Sequence, residues 1–570
     1  MTRGVIRMLS NFLHPGLMFL IVSGLLLLVV PKSLQKFFVL AGHVVTGFYV
    51  ITSEADKMSV MFGIIFSLIS LIAGIYNLHV KDRFELSFEA IYAGASICVV
   101  FSRYWIEMII FWEIMAVASW LIVVAARTKK STEAGFRYLL VHMLGGNLLL
   151  AGIVMQLADG NNMIQCLTGD FSVSYWLILA GIAVNAAIPP LNAWIADAYP
   201  ESTMGGTVYM GSFTTKVGVY CLIRIFAGTE LLIYFGVFMA LWGACMALIE
   251  NDLRRLFAYH IISQVGYMIA SLAIGGEIGI DGACAHAFNH ILYKGTLLMA
   301  AGAVITATGK RKISELGGLA KKMPVTAYSF LIASMAIAGF PLLNGFVSKS
   351  LIMGAAAQNA HWAEILLMIA SIGTLMSVTL KVNYFVFFGK SDVHLEVNEK
   401  IIPYNMKVAM VLGAGACVIT GIFPNIVYSL TPFGTDGHPF TVDHVTQYVQ
   451  LFAAATVAFI MYLEHMKPKE KITLDTDWFY RKPLNIAVEG LSYAFDSARI
   501  ESGKMLKGAI EQGNIFLHNP RLIGENLFAI KSPEEKNCIE KDDVLQNSVG
   551  KLIGTNFILF IVLIVFAIIK

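Results

Sequence analysis

Apolar residues along this chain gather into long blocks separated by short polar interruptions. A block of roughly 17–25 such residues is what a helix needs to cross a hydrocarbon core. Blocks of that order lie at 16–31, 34–51, 58–79, 86–103, 105–126, 135–158, 174–195, 203–226, 232–250, 255–274, 281–304, 324–346, 364–389, 406–427, 446–463 and 552–569. The pattern predicts an all-α integral membrane protein with about 14–16 transmembrane helices. Lys and Arg collect in the loops that follow odd-numbered blocks: Lys81 and Arg83; Arg127, Lys129 and Lys130; Arg254 and Arg255; Lys310, Arg311 and Lys312 with Lys321 and Lys322; Lys390 and Lys400; Lys467, Lys469 and Lys471. The loops after even-numbered blocks, such as 159–173, 275–280 and 428–445, are nearly free of them. Positive loops stay on the cytoplasmic side, so the odd loops are expected there and both chain ends opposite. Arg3 and Arg7 pull mildly the other way.

Two blocks are interrupted by similar strings, Ile188-Pro-Pro-Leu-Asn-Ala-Trp194 and Gly339-Phe-Pro-Leu-Leu-Asn-Gly-Phe346. Proline or glycine at membrane depth frees backbone groups, which then line a polar cavity or meet other protein. Matching breaks in two halves of a chain point to a transporter; an ordinary packing kink is the other reading of either one. After Lys471 the composition changes, and apolar residues at Leu484, Val488, Leu491, Phe495, Ala498 and Met505 recur at helical spacing with a polar opposite face. A helix from Pro483 to about Leu517 would run roughly 50 Å. It is too polar to span and is expected to lie along the membrane surface or along neighbouring protein. The expected organisation is a membrane module over 1–465, a cytoplasmic-side lateral helix and linker over 466–550, and a last transmembrane helix over 551–570.

Composition removes the soluble alternatives. The chain is 57% apolar and only 14% charged, with a mean hydropathy of +0.70, too oily for a soluble globular domain. The net charge of +3 adds little, because placement of charge matters more than its sum. Seven cysteines carry no CxxC or zinc-like spacing and read as small core residues. The first block ends in Pro31-Lys32 and not at a small-residue cleavage site, so it is expected as a span and not as a cleaved leader.

A charge at the bilayer centre costs about 2.5–3.5 kcal/mol on insertion scales, so ionisable residues far from span ends usually face a protein or water interior. Glu113 lies near the middle of its block and is too short to reach water; it is a candidate proton carrier, or else a carboxylate paired within the bundle. Lys216 sits centrally in 203–226, where a lysine exchanges its proton at accessible cost and an arginine would not; a fixed countercharge is the alternative. His286, His290 and Lys294 fall at i, i+4 and i+8, one helical face on which imidazole and amine form a plausible relay. Two histidines so spaced also suit a metal, yet no acidic third ligand accompanies them, and no metal is expected. Lys349 follows the second break, where freed backbone and a charge coincide. Lys381 is embedded but near enough to the end of 364–389 for its stem to snorkel outward. No nucleotide-binding loop, Ser-His-Asp set or nucleic-acid-binding feature is present.

These residues stand in longer strings: Trp112-Glu113, Pro190-Leu-Asn-Ala-Trp-Ile-Ala-Asp-Ala-Tyr-Pro-Glu201, Thr215-Lys-Val-Gly-Val-Tyr220, Leu253-Arg-Arg-Leu-Phe-Ala-Tyr259, Ser263-Gln-Val-Gly-Tyr267, His286-Ala-Phe-Asn-His-Ile-Leu-Tyr-Lys294 and Gly345-Phe-Val-Ser-Lys349. In that order, over most of 85–400, the chain resembles the proton-conducting, antiporter-like subunits shared by respiratory complex I, Mrp-type cation/proton antiporters and energy-converting membrane hydrogenases. The resemblance implies two inverted five-helix repeats, each with a discontinuous helix, and a relay along the membrane midplane through Glu113, Lys216, Lys294 and Lys349. It also implies a prokaryotic-type cytoplasmic (inner) membrane location, partnership with other membrane subunits, H⁺ and in some cases Na⁺ as the moved ion, surrounding lipid, and no cofactor or independent active site of its own. The surface helix and final span are similar to the lateral extension of the distal complex I subunit, whereas Asp475-Thr-Asp-Trp-Phe-Tyr-Arg481 looks more like the Mrp and hydrogenase branches. One departure matters: the family usually has a Lys, partner to the buried Glu, where this chain has Asn185. The competing functions are a scaffold with a degenerate first half-channel and a partner-driven role in uptake of another substrate such as inorganic carbon.

Overall fold

The computed structural model describes residues 16–389, 397–435 and 437–469, with scattered positions from 475 to 507. Among the described residues there is no strand, only two isolated bridges, Tyr104 with Met163 and Asp252 with Lys312. The helices in chain order are α1 (Phe19–Leu27), α2 (Gln35–Ile51), α3 (Lys57–Tyr76), α4 (Arg83–Phe101), α5 (Trp105–Val124), α6 (Lys129–Ala158), α7 (Val173–Asn185), α8 (Trp194–Ala198), α9 (Met204–Ser212), α10 (Thr214–Phe226), α11 (Leu231–Ile249), α12 (Leu253–Ile274), α13 (Gly276–Thr308), α14 (Pro324–Ala338), α15 (Asn344–Asn359), α16 (His361–Phe388), α17 (Tyr404–Ile422), α18 (Asn425–Tyr428) and α19 (Val442–Met461). Ten of them (α3 to α6, α11 to α13, α16, α17 and α19) are long and apolar enough to cross a membrane, and α2, α7 and α14 are shorter apolar helices.

Several helices begin where a short polar side chain satisfies an otherwise orphaned backbone N–H. Asp56 accepts from the N–H of Ser59 at 3.1 Å to open α3, Thr128 from Ser131 at 3.0 Å to open α6, and Asp252 from Arg254 at 2.9 Å to open α12. The centre of the body is α12 and α13, whose apolar windows are 94% and 89% buried, against 22% for the peripheral α19. Glycine lets α11 and α12 approach closely: a Cβ on Gly236 or Gly266 would run into the backbone of the facing helix. Outward-facing apolar side chains such as Phe37, Phe48, Val117 and Tyr234 form the face such a protein turns to lipid.

Both expected interruptions are present. α7 stops at Asn185 and α8 starts at Trp194; α14 stops at Ala338 and α15 starts at Asn344. Each break holds a non-glycine residue in the left-handed region, Ala187 at φ 56° and Leu342 at φ 70°, a conformation that costs an L-residue about 1–2 kcal/mol. The only other such residue among the described ones is Arg127. Two features depart from the expected spans. The block 203–226 is two helices, α9 and α10, parted at Phe213 (φ −107°, ψ −73°) with no proline or glycine at the break to announce it. The second half of α16, Leu375–Phe388, is wound as a π-helix, which apolar periodicity does not distinguish from an α-helix.

The chain divides into two compact units near residue 473. In the second, Trp478 and the described positions from Ile486 to Lys507 are helical and exposed. The rest of the helix expected from Pro483, the linker and the last span at 552–569 lie outside the described residues.

Candidate functional site

Helix ends position the buried lysines. The last carbonyls of an α-helix have no intrahelical partner and carry the negative end of its dipole. The ammonium of Lys216, three residues past the Phe213 break, donates to Gly211 O in the last turn of α9 at 2.6 Å and to Thr215 Oγ1 at 3.1 Å. Lys349, on α15 just after the second break, donates to the carbonyl of Ala338, the last residue of α14, at 3.2 Å and to Ser371 Oγ at 2.7 Å; its Nζ also lies 5.0 Å from the Tyr267 ring centroid. Lys381 donates to Leu248 O and Glu250 O at the end of α11, both at 2.7 Å. It is only 1% exposed, so the expected snorkelling does not occur: the carbonyls at the end of α11 hold the ammonium inside. Lys294 differs, donating to Phe257 O at 3.2 Å with its charge 5.4 Å from that ring's centroid. No ion pair among the described residues joins any of these four to a carboxylate side chain.

Buried imidazoles accompany the lysines. α13 carries His286, His290 and Lys294 along one face, each with no exposed surface. His286 Nδ1 is 2.9 Å from Ser348 Oγ, beside Lys349, and its Nε2 is 3.2 Å from Gln264 Oε1. His290 has neither ring nitrogen hydrogen-bonded among the described residues. Lys216, His290, Lys294, His286 and Lys349 are all fully buried ionisable side chains of α10, α13 and α15. His260 is another and was missed by the sequence reading: fully buried on α12, it has Nε2 2.9 Å from Ser377 Oγ.

Glu113 stands apart from that group. Its carboxylate fills the space where a side chain on Gly146 of α6 would be, and its Oε1 has no hydrogen-bond partner among the described residues. Asn185 does not approach it; Asn185 Oδ1 is 2.8 Å from Nδ1 of His142, a second buried histidine the sequence reading passed over. The His142 ring packs against Tyr138 (centroids 4.1 Å apart) and Trp194 (4.6 Å), and Trp194 Nε1 donates across the break to Val184 O at 3.1 Å. Searching the apolar blocks for histidine as well as for formal charge would have found His142 and His260, because neutral imidazole is still titratable. Glu89, buried on α4 with both carboxylate oxygens accepting from Asn77 Nδ2 at 2.8 Å, lies only three residues inside the start of the block 86–103, where a charge reads as a span end.

Comparison with known proteins agrees with the geometry. Residues 102–377 match the family described as "NADH:quinone oxidoreductase/Mrp antiporter, TM". The chain is 29% identical over 434 residues to an uncharacterized protein of Methanocaldococcus jannaschii, covering 71% of this chain and 89% of that one. It is 28% identical over 563 residues to a Na(+)/H(+) antiporter subunit of Alkalihalophilus pseudofirmus, covering 84% of this chain and 67% of that one. One chain of the membrane-bound sulfane sulfur reductase, an archaeal respiratory membrane complex, superposes with a TM-score of 0.66 at 23% identity, over 78% of this chain and 99% of that one.

Proposed function

Because the chain belongs to the antiporter-like membrane subunits of the NADH:quinone oxidoreductase and Mrp antiporter family, we propose that it translocates H⁺ as one member of a larger membrane assembly. Na⁺/H⁺ exchange is the variant drawn from its antiporter relatives, and the cytoplasmic membrane of a prokaryote is the location that fits. The relay consists of Glu113, Lys216, His290, Lys294, His286 and Lys349. The observation that carries this reading is that the fully buried Lys216, Lys294 and Lys349 rest on backbone carbonyls, with the buried His286 and His290 on the same helix face as Lys294, and form no ion pair with a carboxylate side chain among the described residues. A carboxylate partner would lock each ammonium in place; carbonyl dipoles compensate it only in part, so the proton remains exchangeable. Because the groups interact, a change at one alters the protonation of the next. Conformational or electrostatic events in neighbouring subunits are the energy source; Lys381, anchored at the end of α11, is a supporting cation.

The test is ion movement in vesicles carrying the assembled complex. Lys294→Ala and Lys349→Ala are each expected to cut flux by roughly a hundredfold or more while assembly persists. Unchanged flux with intact assembly would falsify the relay. A scaffold with a silent first half is favoured by one observation, the neutral Asn185 and unpaired Glu113. Asn185→Lys separates the two readings: a scaffold gains no transport, and a working channel changes its rate.

A further inference from the structure

Among the buried polar atoms without a hydrogen-bond partner among the described residues are Glu113 Oε1, His142 Nε2 and Asn185 Nδ2. A histidine kept only for packing normally has its ring nitrogens satisfied. Here they belong to one constellation. His142 and Gly146 are four residues apart on α6 and share a face, with about 5–6 Å between neighbouring Cβ positions. The carboxylate of Glu113, reaching over from α5, occupies the Gly146 position on that face. On its other side the ring is fixed by Asn185 of α7, and the backbone of Asn185 and Ala186 packs against Gly218, two residues beyond Lys216. His142 therefore lies between Glu113 and the helix that carries the first buried lysine.

We infer that His142 takes and passes on the proton of Glu113, with Asn185 as the positioning residue that orients it; the inference rests on the relay reading above. Asn185 Oδ1 accepts from Nδ1–H of His142, which leaves the Nε2 lone pair as the basic site. The Glu113 carboxyl gives up its O–H proton to Nε2, directly or through one water. A carboxylate and an imidazolium result. The imidazolium then releases the same Nε2 proton toward the neutral amine of Lys216, which becomes an ammonium, and His142 returns to its starting tautomer with Nδ1–H never broken. The groups packed on the ring are Asn185 of α7, Trp194 of α8 and Tyr138 of its own helix, and Glu113 of α5 lies one helical turn away at Gly146. The Tyr138 hydroxyl is itself held by Ser119 of α5 at 2.8 Å. The nearby Arg137 is committed to Asp197 at 2.7 Å and supplies no free charge. A lysine at 185 is thus replaced in function by an imidazole on the neighbouring helix.

The experiment measures ion flux against pH in vesicles bearing the assembled complex, with Lys349→Ala as the control for the relay itself. His142→Gln is expected to assemble, to lower flux by roughly a hundredfold and to erase one limb of the pH profile. His142→Gln combined with Asn185→Lys should recover flux, because a titratable group returns to the site. If His142→Gln keeps the wild-type rate and profile while Lys349→Ala is inactive, this inference is overturned and the proposed function stands. If both keep the rate, both ideas are overturned. Should His142→Gln not assemble, Asn185→Ser decides: it retains the imidazole and removes its Nδ1 partner, so a displaced limb supports the role and an unchanged profile overturns it.

Discussion

A lysine taken out of water is stabilised by whatever negative potential the fold brings to it, and here that potential is backbone. Gly211, Ala338, Leu248 and Glu250 offer carbonyls at helix ends to Lys216, Lys349 and Lys381. The exposed rim uses ordinary ion pairs. Arg224, one turn past Tyr220, donates to Asp56 at 2.7 Å, with side chains 31% and 48% exposed. Partial burial pushes the Asp56 carboxyl up, but the hydrogen bond and charge of Arg224, aided by Ser59, outweigh it and hold the group below its ordinary 3.8. A depressed carboxylate contributes stability above its unfolded value and loses it as pH falls through the folded one. Asp56→Asn should therefore lower stability by under about 1 kcal/mol near neutral pH, given the exposure. The difference from wild type should vanish in acid, below both values. Thermal unfolding in detergent across that range checks this; a difference that grows on acidification contradicts it.

At the scale of elements, the breaks create the site. An unbroken α14–α15 would bond Ala338 O within the helix and leave Lys349 no acceptor there. The same holds for Gly211 and Lys216 at Phe213. The left-handed Leu342 is 58% exposed, so replacing it with glycine loses little packing and relieves backbone strain. Leu342→Gly should be neutral or stabilising by up to about 1 kcal/mol, whereas glycine at exposed Ala180 inside α7 should cost about 1 kcal/mol. Melting temperatures of the two variants in that order support the strain; the reverse order refutes it. The breaks were legible only in part: Pro and Gly announced 188–194 and 339–346, but nothing in Ser212-Phe213-Thr214 distinguishes a break from a continuous helix.

At the scale of the whole molecule, the chain forms two compact units that divide near residue 473. We propose that the extension clamps neighbouring subunits. Truncation after residue 469 should leave the body in the membrane and reduce co-purification of partner subunits roughly tenfold or more. Undiminished co-purification would rule out the clamp. Within the body, the central position of α12 and α13 shields His286, His290 and Lys294 from the surface: their side chains see other helices on nearly every side.

By itself the sequence determined the membrane class, most spans, both proline-marked breaks and the buried Glu113, Lys216, Lys294 and Lys349, because bilayer insertion penalises charge so strongly that each exception stands out in one dimension. It also exposed Asn185 as an anomaly. Only the tertiary structure decided what compensates each charge, since carbonyls of Gly211, Ala338 and Phe257 are 5, 11 and 37 residues from the lysines they meet. It likewise decided that His142, 43 residues before Asn185, is that residue's partner. Contacts between helices depend on how whole faces pack, and no local pattern of residues encodes them.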